Sequence, residues 1–231
     1  DSEIFYNKMI SLYNQDEAKF NMDFIKTIAY TNEAVENLNK FIKNRINPSE
    51  ELISEGDYLL GYQSVMDKND KIVVQNSTDY YIHNLLYSES RVLSKTYKYF
   101  DVITDKITGK TIRILHPDSY KDFQETIELF YNNAVKFRAW RPYYSYLNNF
   151  VLMRDFLHST LKNKQGKPEK IAQKNIDLGY AITTHKSQGS TYDNVAVIYS
   201  NFKKCLKVDE RNRLCYVAFS RTRLLNNIYN V

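Results

Sequence analysis

Two polar runs in the last third of this 231-residue chain hold the side chains best suited to gripping phosphate. The first is Ala181-Ile182-Thr183-Thr184-His185-Lys186-Ser187-Gln188-Gly189-Ser190-Thr191, a short apolar stretch that leads directly into hydroxyls, an imidazole, an ammonium and an amide. Such groups at a strand end supply donors for phosphate oxygens, and a glycine lets the backbone approach closely. A capped loop without a ligand fits the same residues. The second is Leu214-Cys215-Tyr216-Val217-Ala218-Phe219-Ser220-Arg221-Thr222-Arg223, an apolar helical face followed by two arginines one residue apart. A guanidinium stays charged and forks onto phosphate oxygens, so an arginine at the end of a rigid element can neutralise charge developing on a γ-phosphate. Surface arginines paired with carboxylates are the plain alternative.

Two other segments imitate nucleotide-binding signatures. Thr104-Asp105-Lys106-Ile107-Thr108-Gly109-Lys110-Thr111 fits a P-loop except that its first glycine is Thr104. That glycine lets the backbone wrap phosphate, and a helix should follow, yet Thr111 to Leu115 alternates like a strand. A hairpin turn at Thr108-Gly109 is the better reading. Gln15-Asp16-Glu17-Ala18 resembles a metal-positioning Asp-Glu pair but follows a helical segment, so it reads as a helix end. The sequence therefore presents no complete site for cutting a nucleoside triphosphate. Cys205 and Cys215 build no disulfide framework, and no Cys/His group has zinc spacing, so no metal site is expected. His83, His116 and His158 have no ligand spacing and are read as structural.

Hydrophobic residues at 43%, charged residues at 26%, 6 Gly and 4 Pro describe an ordinary folded protein and exclude a disordered or collagen-like chain. No apolar run reaches membrane-span length and Asp1-Ser2-Glu3 does not open a signal peptide, so a soluble, cytoplasmic setting without membrane partners is expected. From Leu161 onward, 13 Lys and Arg face 5 Asp and Glu, which leaves 19 against 22 before it. A polyanion would dock on that basic third, but on charge alone a solvated lysine face is the better reading. The 20 tyrosines suit stacking surfaces, and biased genome composition also accounts for them.

These runs need elements to hold them. Glu3 to Lys19 has helical spacing, Phe24 to Tyr30 reads as a buried strand, Thr31-Asn32 as turn and cap, and Glu33 to Ile46 as a helix. Between Gly56 and Leu115 about five short segments (Tyr58–Val65, Lys71–Gln75, Tyr80–His83, Arg91–Asp101, Thr111–Leu115) alternate with turn residues and predict a small antiparallel barrel. Helical periodicity returns over Asp118 to Ala139 and Tyr143 to Leu161, and Lys162 to Lys174 reads as an exposed loop or hairpin tip. Strands are expected at Leu178–Thr183, Asn194–Tyr199 and Asn227–Val231, with a helix at Asp209–Phe219. Strand-cap-helix texture on both sides of a β-rich segment predicts an α/β domain interrupted by an insertion.

The order and separation of the two phosphate-suited runs resemble motifs V and VI of superfamily 1 helicases, whose forms are similar to T-x-H-K-[SA]-Q-G and Y-V-[AG]-x-[ST]-R-x-R. Ile28 to Val35, followed by Leu38-Asn39, is similar to the strand and helix that open the second RecA-like domain in that family. The RecD-like or Dda-like branch is the nearest resemblance, with an SH3-like barrel inserted after this opening and an aromatic segment like Trp140-Arg141-Pro142-Tyr143-Tyr144. The resemblance implies an α/β, RecA-like parallel-sheet domain, 2A, without its own P-loop. Residues 1–53 and 118–231 would belong to it, and residues 54–117 to an SH3-like β-barrel, 2B.

By motif position, the resemblance implies Arg221 as arginine finger, with Gln188, Gly189 and Arg223 on the nucleotide side. Thr184, His185 and Lys186, with Thr31 and Asn32, would face the backbone of single-stranded DNA. A plain helix cap explains Thr31 and Asn32 as well, while Trp140, Tyr143 and Tyr144 either stack on a base or pack. The implied whole is an ATP-dependent 5′–3′ DNA helicase using ATP with Mg²⁺. This chain would be its C-terminal portion and inactive alone, residues 1–20 ending a connection from the first RecA-like domain, 1A, its partner together with possible nuclease or replication proteins. A non-catalytic nucleic-acid-binding or protein-interaction adaptor is the rival.

Overall fold

The computed structural model of the chain describes residues 2–66, 71–106 and 111–229. In chain order its elements begin with α1 (Ser2–Tyr13), α2 (Asp16–Phe20), β1 (Ile25–Ala29) and α3 (Asn32–Ile46). A strand-rich run follows: β2 (Tyr58–Gly61), β3 (Val65–Met66), β4 (Ile72–Val74), β5 (Asp79–Val92), β6 (Lys95–Thr104) and β7 (Ile112–Leu115). Next come α4 (Tyr120–Phe137), α5 (Arg141–Leu147), β8 (Phe156–Lys162), β9 (Pro168–Ala172) and β10 (Ile176–Leu178). The chain closes with β11 (Ala181–Thr183), β12 (Tyr192–Val197), α6 (Tyr199–Phe202), α7 (Val208–Phe219) and β13 (Thr222–Tyr229). No helix among the described residues is long and apolar enough to cross a membrane.

Two compact units result, one made of Asp1–Tyr58 with Leu178–Val231 and the other of Leu59–Asp177. In the first, four parallel strands run in the order β11-β1-β12-β13. All five residues of β1 are buried, as befits a central parallel strand covered on both faces. The cap Thr31 starts α3 by accepting a hydrogen bond from the Ala34 N–H. Helix α3 then buries Val35, Leu38 and Ile42 at helical spacing.

Polar pins lock this sheet. Asn39, on the buried face of α3, accepts from the Ala181 N–H at 2.7 Å and donates to the Ala181 carbonyl at 3.2 Å, pairing the outer edge of β11. Lys26 is buried and donates to the Gly179 carbonyl at 2.8 Å. Helix α1 belongs to the same core: Met9 is fully buried and the Tyr13 hydroxyl bonds the Tyr180 carbonyl. The segment Gln15-Asp16-Glu17-Ala18 begins α2 rather than ending a helix, because Asp16 and Glu17 occupy the first turn, where carboxylates complement the helix dipole.

Several expectations change in the second unit. Its sheet has the order β10-β2-β5-β6-β7, and the expected segments Tyr80–His83 and Arg91–Asp101 lie on one long ribbon in which β5 and β6 pair from Ile82–Thr104 to Val92–Lys95. The helix expected over Tyr143–Leu161 stops at Leu147, and Phe156–Lys162 is a strand paired with β9. An apolar, aromatic run without clear period leaves helix and strand undecided until a partner strand is present. Lys162–Lys174 is accordingly a hairpin. The expected turn at Thr108-Gly109 lies outside the described residues, but the strand after it exists as β7, antiparallel to β6.

Where the sequence placed a division at residue 117, the structure has one core: Tyr97, Tyr99 and Leu115 pack with Phe123, Ile127, Tyr146, Phe150 and Phe156. Residues 118–177 therefore lie with the inserted unit. Many tyrosines serve here. The Tyr146 ring stacks between Phe123 and Phe130, with centroids at 5.3 and 5.0 Å, and its hydroxyl donates to Tyr97 at 2.7 Å. Tyr143 is buried and bonds the Ile171 carbonyl, whereas Trp140 and Tyr144 are substantially exposed. His116 and His158 accept backbone N–H groups through Nδ1, in keeping with structural roles.

The first unit also buries an ion pair. Asp57 is fully buried, 3.7 Å from the Lys43 ammonium, and accepts from Asn47, Tyr180 and the Ser54 N–H. Burial holds its carboxyl above the usual range, and Lys43 pulls the other way. With the folded value above the unfolded one, this group's contribution is greatest below about pH 4 and declines as pH rises through the folded value. Asp57→Ala removes the acceptor of the Tyr180 hydroxyl and the Ser54 N–H, and leaves Lys43 with only the Ser54 hydroxyl and Asn47 with only the Glu55 carbonyl. It should cost about 3–5 kcal/mol in urea unfolding near neutral pH and remove this part of the pH profile. A loss below about 1 kcal/mol would show that the network is dispensable.

Candidate nucleic-acid and nucleotide interface

β1 and β11 end together, with Ala29 opposite Thr183 in parallel register, so the turns that follow them leave the sheet at the same edge. Carboxyl ends of parallel strands are where open α/β sheets bind ligands. On one turn, Thr31 caps α3 and Asn32 is exposed in the first helical turn. On the other, His185 is exposed and Lys186 half-buried. Thr184 does not join them. It is fully buried, its N–H and hydroxyl both directed to the Ala29 carbonyl, because the chain must stay paired with β1 for one residue beyond β11. A strand-facing hydroxyl at Thr184 is therefore corrected to a sheet-closing one.

The turn after β1 is set by Asn201, a residue that motif reasoning missed. Its side-chain oxygen accepts from both the Tyr30 and Thr31 N–H groups at 2.9 Å, and its amide donates to the Thr31 hydroxyl. The Thr31 hydroxyl is thus occupied by Ala34 and Asn201, and its role is positional. Nearby, the Cys205 thiol beside the Tyr30 phenol raises the phenol's pKa. An Asn next to Phe202 and three residues after Ile198 is the signal the sequence offered.

Between β11 and β12 the chain crosses β1 and returns to the opposite edge, since both strands flank β1 and run parallel to it. A tight turn makes this crossing: Ser187 is buried, its hydroxyl donating to the Thr184 carbonyl at 2.7 Å. Gln188 and Gly189 are exposed at its far end, and Gly189 has φ +86°, a left-handed conformation that side chains resist. There the second run arrives. Arg221 follows α7, and its guanidinium donates to the Val217 carbonyl at 3.0 Å, the Ser190 carbonyl at 3.2 Å and the Ser220 hydroxyl at 2.9 Å. The Tyr192 N–H in turn donates to the Arg221 carbonyl at 2.7 Å.

Arg221 is half-buried and Gln188, Gly189 and Arg221 are thus brought into one neighbourhood. A guanidinium has five N–H donors, so the three contacts above leave capacity and a full positive charge for an anion. Arg223 is placed differently. It donates to Asp193 and Thr191 at 3.2 Å each and lies 3.6 Å from Asp23, because it opens β13 beside the start of β12. The expectation of Arg223 at the nucleotide is corrected to an ion-paired clamp between strand starts. No group of three or more His, Cys, Asp or Glu among the described residues could hold a metal ion.

Residues 178–229 match the family model of the UvrD-like helicase C-terminal domain, and that stretch holds both runs. Over this stretch the chain is similar to the C-terminal portion of a superfamily 1 helicase. Among solved structures, the chain is similar to the Pif1 helicase from Bacteroides in complex with ADP-AlF3 and ssDNA, at 16% identity and a TM-score of 0.43, covering 100% of this chain and 46% of that one. It is also similar to the Pif1 helicase from Candida albicans, at 13% identity and a TM-score of 0.42, covering 98% of this chain and 53% of that one. The chain spans about half the length of these structures. No curated protein matches it.

Asn201→Ala removes the shared acceptor of two part-buried N–H groups. It should lower stability by about 1–3 kcal/mol and speed amide exchange at Tyr30 and Thr31, with Asn201→Asp retaining most of the protection. Unchanged exchange at those two amides would contradict the clamp.

Proposed function

We propose that this chain is the second-lobe portion of an ATP-dependent superfamily 1 DNA helicase, which grips single-stranded DNA at one sheet edge and offers Arg221 to a nucleotide at the other. The observation that carries it is the meeting of the two motif-like runs: Arg221 reaches the Ser190 carbonyl from 31 residues away, beside Gln188 and Gly189. The match to the UvrD-like C-terminal domain supports the same reading.

ATP is the fuel in this reading, bound mainly by a first lobe that carries a P-loop. The residues present fit a supporting role, since a guanidinium with spare donors suits phosphate oxygens, and in this reading Mg²⁺ is held with ATP by the other lobe. With ATP bound, Arg221 holds positive charge where negative charge builds on the γ-phosphate, and the crossing segment from Thr184 to Thr191 connects that edge to the DNA edge. Alone, the chain should bind DNA but not turn over ATP. Assignment to the RecD-like branch, 5′–3′ polarity and an SH3-like nature of the inserted sheet are part of the proposal, supported by motif resemblance and by the position of the insertion after α3.

At the DNA edge, His185, Lys186 and the exposed first turn of α3 contact backbone phosphate, so binding is salt-sensitive and sequence-tolerant. Anisotropy titration with oligo(dT) should show affinity falling steeply with salt. The double variant His185→Ala, Lys186→Ala should weaken binding and lower the log–log salt slope by about 0.7 for each phosphate that is no longer neutralised. Equal slopes would remove these residues from the interface. In the longer protein that supplies a P-loop lobe, Arg221→Ala should cut DNA-stimulated ATP turnover about a thousandfold or more. Turnover at the wild-type level in a folded variant would end the finger assignment.

A further inference from the structure

A hollow of about 420 Å³ opens beside the turn that carries Thr31 and Asn32. Its walls are Tyr6 of α1, Ala34, Leu38 and Phe41 of α3, and Ile198 and Asn201 after β12. They are mainly apolar, and the Tyr6 and Phe41 rings meet edge to face at 5.4 Å. Asn37, Ser200 and Lys204 stand at the polar rim. The Asn37 amide has no hydrogen-bond partner among the described residues. Apolar walls with a few polar groups at the mouth are what a planar heteroaromatic ring with a hydrogen-bonding edge requires. The volume lies at the small end of ligand pockets, suited to one ring system rather than to a helix.

Position and charge select the occupant. Asn201 serves both places: it holds the Tyr30 and Thr31 N–H groups and also lines the hollow, so the hollow begins where the proposed backbone contact ends. Ala34 lies within the first turn of α3, about one 5.4 Å pitch from the cap, which is the scale separating a nucleotide's phosphate from its base. Lys204 at the rim belongs to a stretch from Asn201 to Lys207 that also holds Lys203 and Lys207 and has no acid. Glu33 sits 3.6 Å from Lys204 and offsets part of that charge.

We propose that this hollow receives one base of the bound single strand, while the turn at Thr31 and Asn32 holds the adjoining backbone. The proposal rests on the single-strand reading above and adds a base-dependent, salt-insensitive component to it. Every base has a π-face, so the hollow tolerates sequence.

The test compares oligo(dT) with an abasic oligonucleotide of equal length, using the full chain and anisotropy. The wild type should prefer the base-bearing strand by about tenfold or more. Ala34→Leu fills the hollow from α3 and Ser200→Leu crowds its rim, so that one remains informative if the other does not fold. Either folded variant should bring the dT-to-abasic ratio down several-fold toward one. Folded variants that keep the full ratio overturn the proposal, as does a wild type that binds both strands alike. The double variant His185→Ala, Lys186→Ala separates the two claims. If it leaves abasic affinity unchanged while the filled variants still lose base preference, the backbone reading fails and the hollow stands.

Discussion

The first unit depends on the burial of β1 between strands that arrive from far downstream. A fully buried strand can satisfy its N–H and C=O groups only by pairing, and β1 pairs with β11 on one side and β12 on the other. Neither partner exists until the inserted unit has been made and the chain has returned. The entropy of closing so long a loop grows only slowly with its length, so the insertion is tolerable, but pairing of this range slows folding. The polar pins answer that cost at the weakest place. β11 is three residues long, and Asn39 takes both backbone groups of Ala181 on the edge that no further strand covers among the described residues.

From that pairing the positions of all the candidate residues follow. Because β11 and β1 end in register, His185, Lys186, Thr31 and Asn32 share an edge. Because β12 must start at the opposite edge, the segment after Thr184 crosses β1 and delivers Gln188 to Ser190 to the end of α7. One short segment thus has a foot at each edge, which is the geometric basis of the link proposed between DNA and nucleotide.

Legibility in the sequence followed the range of the forces. The strand from Phe24, the Thr31 cap and the helix to Ile46 were readable because a buried run, a capping hydroxyl and a 3.6 period are local signals. The helix before Arg221 was readable for the same reason. Phe156–Lys162 was not: its strand conformation is set by β9, which the local pattern does not name. The boundary near residue 117 failed similarly, since Phe123 and Tyr146 sit at helical spacing that would serve any core, and only the packing against Tyr97 and Leu115 shows which core they fill.

Sequence by itself determined residue chemistry and order: which groups can hold phosphate, that two such groups of residues lie in the last third, and that α/β texture surrounds an insertion. Tertiary structure decided which of those groups are available. Thr184 and Thr191 are alike as side chains, yet β-pairing buries the first and leaves the second exposed. Arg221 and Arg223 are the same residue two positions apart, yet carbonyl contacts leave Arg221 with spare donors and no ion pair among the described residues, while Asp193 and Asp23 neutralise Arg223. Availability is a property of neighbours in space, and those neighbours are brought in by backbone hydrogen bonding between strands that the linear order keeps far apart.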